Sequence, residues 1–304
     1  MNANRSNDER YAVAGIGELL WDIFPNHSRI GGAPCNFAYH THQLGAEAWP
    51  ISCIGSDSLG KDARSQLSEV GVDTSYVKET DDYPTGTVDV VLQDGKPSYT
   101  IHENVAWDHI PFTPDLRELA GRLDAVCFGS LSQRSPESSD SISAFVKSMR
   151  KSALKILDVN LRDPFYSQAT LSRSLGLANV LKLSDEELPV LREYFSLKGG
   201  VSDQLQQLLE QFDLHLVAYT RGSLGSLLIG MEETNDFSGC EGDIVDTVGA
   251  GDSFTAALCM GLLRGWPLRK VNQHANEVAT YVCTQKGATP VMPDRFVSLG
   301  LASG

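Results

Sequence analysis

The 304 residues are 41% hydrophobic and 21% charged with a formal net charge of −14, the make-up of an ordinary globular chain with room for one large domain or two modest ones. An acidic balance of this size repels polyanions, and no clustered run of Lys and Arg offers a stripe for nucleic acid, so a nucleic-acid partner is not expected. No stretch approaches the roughly 20 apolar residues of a membrane helix, and the polar opening MNANRSNDER lacks the apolar core of a secretion signal, so the expectation is a cytoplasmic protein without a membrane partner.

In chain order, short apolar runs alternate with helical patterns. YAVAGIG (11–17) precedes CNFAYHTHQLG, AWPISCIG (48–55) precedes LGKDARSQLSEVG, and DAVCFGS (124–130) precedes SDSISAFVKSMRK. LKILDVN (154–160), ANVLKLS (178–184) ahead of DEELPVLREYF, and LHLVAYT (214–220) continue the rhythm. Such alternation predicts βαβ units, hence a mostly parallel sheet covered on both faces by helices, with ligands at the carboxyl ends of the strands. One stretch breaks the pattern: TGTVDVVLQDGKPSYTIHE (85–103) has β-rich flanks around a D-G pair, the form of a hairpin. Together with LLWDIFP (19–25) it reads as a small antiparallel flap of the kind that closes over a ligand. The expected organisation is one domain over 11–304, a lid of approximately 18–30 and 84–104 inserted within it, and a polar tail at 1–10. Six cysteines, at 35, 53, 127, 240, 259 and 283, form no C-x-x-C pair and no zinc-type cluster, and read as reduced, mostly buried thiols.

Three glycine-rich segments carry the chemical signal. DTVGAGDS (246–253) precedes an apolar helical run, so its small residues lie at a helix N-terminus, where backbone N–H groups lack partners and the dipole is positive. Residues with almost no side chain let an anion approach those donors, although Asp and Ser are equally suited to capping a plain helix. Upstream, RIGGAPCNFAYHTHQLG (29–45) places Gly31 and Gly32 before a proline suited to a first helical turn, with Asn36 offering donor and acceptor. TRGSLGS (220–226) follows an apolar strand and by itself reads as a turn into another strand. There is no G-x-x-x-x-G-K-[ST] loop, GIGELL lacks the third glycine of a dinucleotide fingerprint, and protein-kinase H-R-D and D-F-G triplets are missing.

Taken together, GGAPCNFA with Gly45 and Gly55, and DTVGAGDSFTAALC far downstream, resemble the two signatures of the PfkB/ribokinase family of carbohydrate kinases. The resemblance runs from GIGELLWD to QKGATP, and GELLWDIFP, GGAPCNFAYH and ENVAWDHI look most like bacterial fructokinases. It implies a ribokinase-like three-layer α/β/α fold with a small β-lid, and ATP-dependent phosphorylation of a sugar hydroxyl, fructose to fructose 6-phosphate. Other sugar kinases of the family, namely ribokinase, 2-keto-3-deoxygluconate kinase or a nucleoside kinase, and a catalytically silent sugar-binding regulator, are the alternatives. By resemblance, Asp252 is the base, and the N–H groups of Gly249, Ala250, Gly251 and Asp252 form an anion hole. Asp22, Gly31, Gly32 and Asn36 hold sugar hydroxyls, while Asn160 and Arg162 face the centre of the site. Thr220, Gly222, Gly225 and Lys182 serve the nucleotide, with Asn276 and VCTQKGA near the adenine. Glu187 matches the glutamate of the family's N-x-x-E region and organises Mg2+ through water, but Ser184 stands where the family has Asn. The resemblance also implies a monovalent-cation (K+) site at Asp246 and the Val248 carbonyl, with further carbonyls from 283–288, and either a homodimer through the lid or a monomer whose hairpin at 85–103 is simply its lid. A helix N-terminus stabilises carboxylates, so Asp252 is expected to be a weaker base than an Asp in apolar surroundings.

Overall fold

The computed structural model describes residues 10–93 and 96–297. Its first half contains β1 (Ala12–Ile16), β2 (Leu20–Ile23), β3 (Ser28–Gly31), α1 (Ala33–Gln43), β4 (Glu47–Gly55), α2 (Ser58–Glu69) and β5 (Val77–Thr80). The hairpin β6 (Gly86–Gln93) and β7 (Lys96–Ile101) follows, then α3 (Pro114–Arg122), β8 (Ala125–Phe128), α4 (Pro136–Ser148) and β9 (Leu154–Asp158). Next come α5 (Gln168–Leu175), β10 (Val180–Ser184), α6 (Leu188–Phe195), α7 (Val201–Gln211) and β11 (Leu216–Thr220). The described residues close with β12 (Ser226–Gly230), β13 (Thr234–Phe237), α8 (Ala250–Leu263), α9 (Leu268–Cys283) and α10 (Asp294–Val297).

Nine strands form one sheet in the order β13-β12-β11-β10-β9-β8-β1-β4-β5, parallel from β5 to β11 and antiparallel over its last two pairings. Neighbouring residues of each strand point to opposite faces, and both faces are covered. Phe128, Leu157, Leu181 and Val217 pack against Leu119, Phe145, Leu171 and Leu205 of the helices on one side. Cys127, Ile156, Val180 and Ala218 pack against Phe37, Phe254, Leu258 and Val278 of α1, α8 and α9 on the other. The expected three-layer arrangement follows from those apolar strands. Because α8 is sandwiched between α1, α9 and the sheet, it is apolar all round; removing the Phe254 side chain, 3% exposed, would cost about 3–5 kcal/mol. Among the described residues no helix is long and apolar enough to cross a membrane.

The lid is a second sheet, β3-β2-β6-β7. It differs from the expected antiparallel flap, because β2 and β6 run parallel while β2–β3 and β6–β7 are antiparallel. Alternating apolar residues specify a strand but not its partner, and here β2 and β6 both leave the body in the same direction. The D-G turn expected at 94–95 lies outside the described residues. Leu20, Val88, Val90, Val105, Trp107 and Leu131 form the apolar seam that fastens the lid to the body.

Candidate active site

Between lid and body lies a cavity of about 1120 Å³. It opens at the carboxyl ends of the parallel strands, where α/β sheets bind ligands. Asp22, Gly31, Gly32, Asn36, Asn160, Arg162, Lys182, Val248, Gly249, Gly251 and Asp252 all border it, so two glycine signatures about 216 residues apart converge. Two backbone features make that convergence possible. Gly32 caps α1 at φ 108°, and a Cβ there would lie 2.2 Å from the Glu18 carbonyl oxygen. Gly249 caps α8 at φ 79°, and its Cβ would lie 2.5 Å from the Ala288 carbonyl oxygen.

Asp252 enters the cavity from the first turn of α8, and Asn36 Nδ2 donates to its Oδ2 at 2.8 Å. That bond fixes the carboxylate and leaves Asn36 Oδ1 buried with no partner among the described residues. Burial pushes the Asp252 carboxyl up to about 6, reinforced by the nearby Asp158 charge; Asn36, Lys182 and Arg162 pull the other way. Burial thus outweighs the donors and cations that favour the ionised carboxylate. Asp22 on β2 is raised to about 6 by burial, against the pull of Arg162 and Arg29. Glu18, 3% exposed, is raised to about 7, again by burial first, and Asp252 adds to the effect. Its Oε2 has no hydrogen-bond partner among the described residues. Arg162, on the loop after β9, donates to the Leu161 carbonyl at 2.9 Å and lowers the pKa of all three carboxyls. Asn160, at φ 39°, turns that loop into the cavity.

Beneath α8 sits a buried ion pair. Lys182 Nζ donates to Asp158 Oδ1 at 3.0 Å, and Thr255 Oγ1 donates to Asp158 Oδ2 at 2.9 Å. Burial opposes the Lys182 charge, but Asp158 and Glu187 outweigh it and keep the ammonium protonated. Its Nζ lies 3.2 Å from where a Cβ on Gly251 would stand, so the cation lies at the helix N-terminus. Helix geometry leaves the Gly251 and Asp252 amides without intrahelical acceptors, whereas the Ala250 amide donates back to the Thr247 carbonyl at 3.3 Å. Two oriented amides and a buried ammonium make a positive pocket beside a raised carboxylate. Such a pocket binds an anion while the carboxylate accepts a proton.

Other residues marked in the sequence lie away from this cavity. Thr220 ends β11, and Gly222 and Gly225 form the tight turn into β12. Asn276 on α9 lies beneath that turn, its Nδ2 donating to Ser226 Oγ at 2.7 Å and to the Asn272 carbonyl at 2.8 Å. Glu187 accepts from the amides of Leu161 and Ser184 at 2.9 and 2.7 Å, so both carboxylate oxygens tie loops together, and Glu186 borders the cavity instead. At the place expected for K+, hydrogen-bond donors already meet the Asp246 carboxylate and two of the carbonyls. Asp246 accepts from Arg29 NH1 at 3.0 Å, from the Val248 amide at 3.1 Å and from the Gly287 amide at 3.1 Å. The Cys283 carbonyl takes the amides of Val245 and Asp246, and the Ala288 carbonyl takes His40 Nε2 at 2.9 Å. Glu18, Asp158, Thr255 and Glu186 were not marked by motif. For Asp158 the signal is polarity in an apolar run, LKILDVN, where a buried carboxylate demands a cation.

The chain belongs to the pfkB family of carbohydrate kinases, whose model matches residues 17–295. It is 31% identical over 298 residues to the sugar kinase PH1459 of Pyrococcus horikoshii, covering 91% of each chain. A crystal structure of that uncharacterized sugar kinase superposes with a TM-score of 0.79 over 91% of this chain and 93% of that one. A fructokinase of Salmonella typhimurium is 30% identical over 297 residues, covering 91% of this chain and 95% of the relative. The structure of a fructokinase from Vibrio cholerae O395, bound to fructose, ADP and calcium ion, is 26% identical with a TM-score of 0.75, over 93% of this chain and 96% of that one.

Proposed function

We propose that the protein transfers the terminal phosphoryl group of ATP to a sugar hydroxyl, with D-fructose as acceptor and fructose 6-phosphate as product. The observation that carries this reading is Asp252, held by Asn36 beside the open amides of α8 and facing the lid carboxylate Asp22 across one cavity. In it, Asp22, Asn36 Oδ1 and Asn160 receive sugar hydroxyls. A carboxyl near pH 6 is ionised at neutral pH yet basic enough to take a proton as the attacking oxygen bonds to phosphorus. Phosphoryl transfer is loose, so the Gly251 and Asp252 amides and the Lys182 ammonium act by positioning and by neutralising charge. Magnesium supplies charge neutralisation on the phosphates, and Glu186 is the carboxylate at the cavity that would meet it through water. The nucleotide base lies along the turn at Thr220, Gly222 and Gly225, over Asn276.

Arg162 fits an acidic sugar, but Glu18, Asp22 and Asp252 surround the same space and disfavour one. That balance supports a neutral polyol over 2-keto-3-deoxygluconate. A panel of fructose, ribose, 2-keto-3-deoxygluconate and adenosine with ATP and magnesium tests the assignment: fructose should give the highest kcat/KM. Binding of a sugar without turnover of any would support a silent regulator instead. A homodimer through the lid belongs to the same reading, since β7 is an edge strand. A monomer by analytical ultracentrifugation at working concentration would reject it.

A further inference from the structure

We propose that Arg29 is the built-in cation of the phosphate loop, so that the enzyme works without potassium, and that the lid delivers this cation. The proposal rests on the kinase reading of the cavity. Asp246 opens the loop that ends in Gly249, Gly251 and Asp252. Its carboxylate already accepts one guanidinium N–H and two backbone N–H groups. A metal ion needs oxygen acceptors turned toward it, but three N–H donors point at the Asp246 carboxylate, and two of the expected carbonyls, those of Cys283 and Ala288, already take other donors. A second cation at Asp246 Oδ2 would compete with Arg29 for that oxygen.

Arg29 is also tied to the lid strand that bears Asp22. It lies on β3 directly opposite Asp22 on β2, and directly opposite residues of an antiparallel pair share a face. Phe24, at the β2–β3 turn, holds the guanidinium from the other side, with Arg29 Cζ 5.7 Å from its ring centroid. One side chain therefore connects three elements: the lid strand bearing Asp22, the loop at Asp246, and the Gly287 segment, whose Cβ would lie 3.8 Å from Arg29 NH1. A monovalent ion taken from solution orders a phosphate loop whether or not the lid is in place. A guanidinium carried on the lid orders it only when β3 is docked, which ties loop geometry to the strand that contacts the sugar.

The test compares wild type, Arg29→Ala, Arg29→Lys and Asp246→Asn in potassium chloride and in tetramethylammonium chloride of equal ionic strength. Turnover is measured with ATP, magnesium and the best sugar of the panel, and Tm without ligands. An ion with no differential site changes neither quantity, so wild type should give kcat values within about twofold and the same Tm in the two salts. Arg29→Ala should lose about tenfold in kcat in tetramethylammonium and recover part of it in potassium, because the vacated carboxylate can now take the ion. Arg29→Lys should keep most of the activity in both salts. Potassium-specific activation or a potassium-specific rise in Tm of wild type would overturn the proposal, as would an Arg29→Ala enzyme as active as wild type in both salts. Should Arg29→Ala fail to fold, Arg29→Lys and Asp246→Asn decide, the latter losing activity that potassium does not restore. If no sugar is phosphorylated in either salt, the kinase reading has failed, and the Tm comparison still decides whether the loop takes potassium.

Discussion

Lys182→Met removes the cation from the pair beneath α8. The two charges are 3.0 Å apart, with side chains only 8% and 5% exposed, so at an effective dielectric constant of about 20 their attraction is about 5 kcal/mol. Desolvation offsets much of that in the intact pair, but the variant strands Asp158 with Thr255 as its one remaining donor. Removing one partner of a buried pair costs about 3–5 kcal/mol, which for a chain of this size lowers Tm by about 5–8 °C. Adding Asp158→Asn should restore most of the loss, because no buried charge is then left alone. Activity should not return with it: both variants lack the ammonium beside Gly251, and kcat should stay about a hundredfold low. Thermal unfolding and steady-state kinetics of the single and double variants read the two effects separately. A Lys182→Met enzyme melting within about 2 °C of wild type, or a double variant with normal turnover, would refute the reasoning.

Glu18→Gln tests the carboxyl whose pKa burial raises from 4.5 to about 7. The folded state then holds the proton more tightly than the unfolded chain, so stability falls as pH rises from the unfolded value through about 7. The neutral variant should therefore be more stable than wild type at pH 8 by about 3 kcal/mol and lose that advantage near pH 4, seen in urea unfolding at both pH values. Equal stability of the two proteins at pH 8 would contradict a desolvated Glu18. Asn36→Ala removes the hydrogen bond that holds the Asp252 carboxyl down, so the acid limb of the kcat/KM profile, expected near pH 6 in wild type, should move to higher pH. An unmoved limb would detach Asn36 from the base.

The layered fold was legible because each strand of the large sheet is an apolar run between helical patterns, and burial on both faces leaves little choice of architecture. The two glycine signatures were legible for a related reason: close backbone approach needs Gly32 and Gly249 whatever the rest of the chain does. The parallel pairing of β2 with β6 was not, since a strand's pattern names its buried face and not its neighbour. Nor could the sequence disclose that Asp252 titrates high. A helix N-terminus can be read locally, but the burial around Asp252 and the Asp158 charge come from residues far away in the chain. Arg29 and Asp246, 217 positions apart, meet only in the folded molecule, and their meeting takes up an oxygen of the carboxylate expected to hold potassium.

The central claim is that Asp252 receives the proton of the acceptor hydroxyl, and Asp252→Asn tests it most directly. The substitution is close to isosteric and leaves the α8 amides and Lys182 in place. Turnover should fall by about 10²–10⁴ while calorimetry still detects sugar binding within a few-fold of wild type. Turnover near the wild-type rate in that variant would contradict the account.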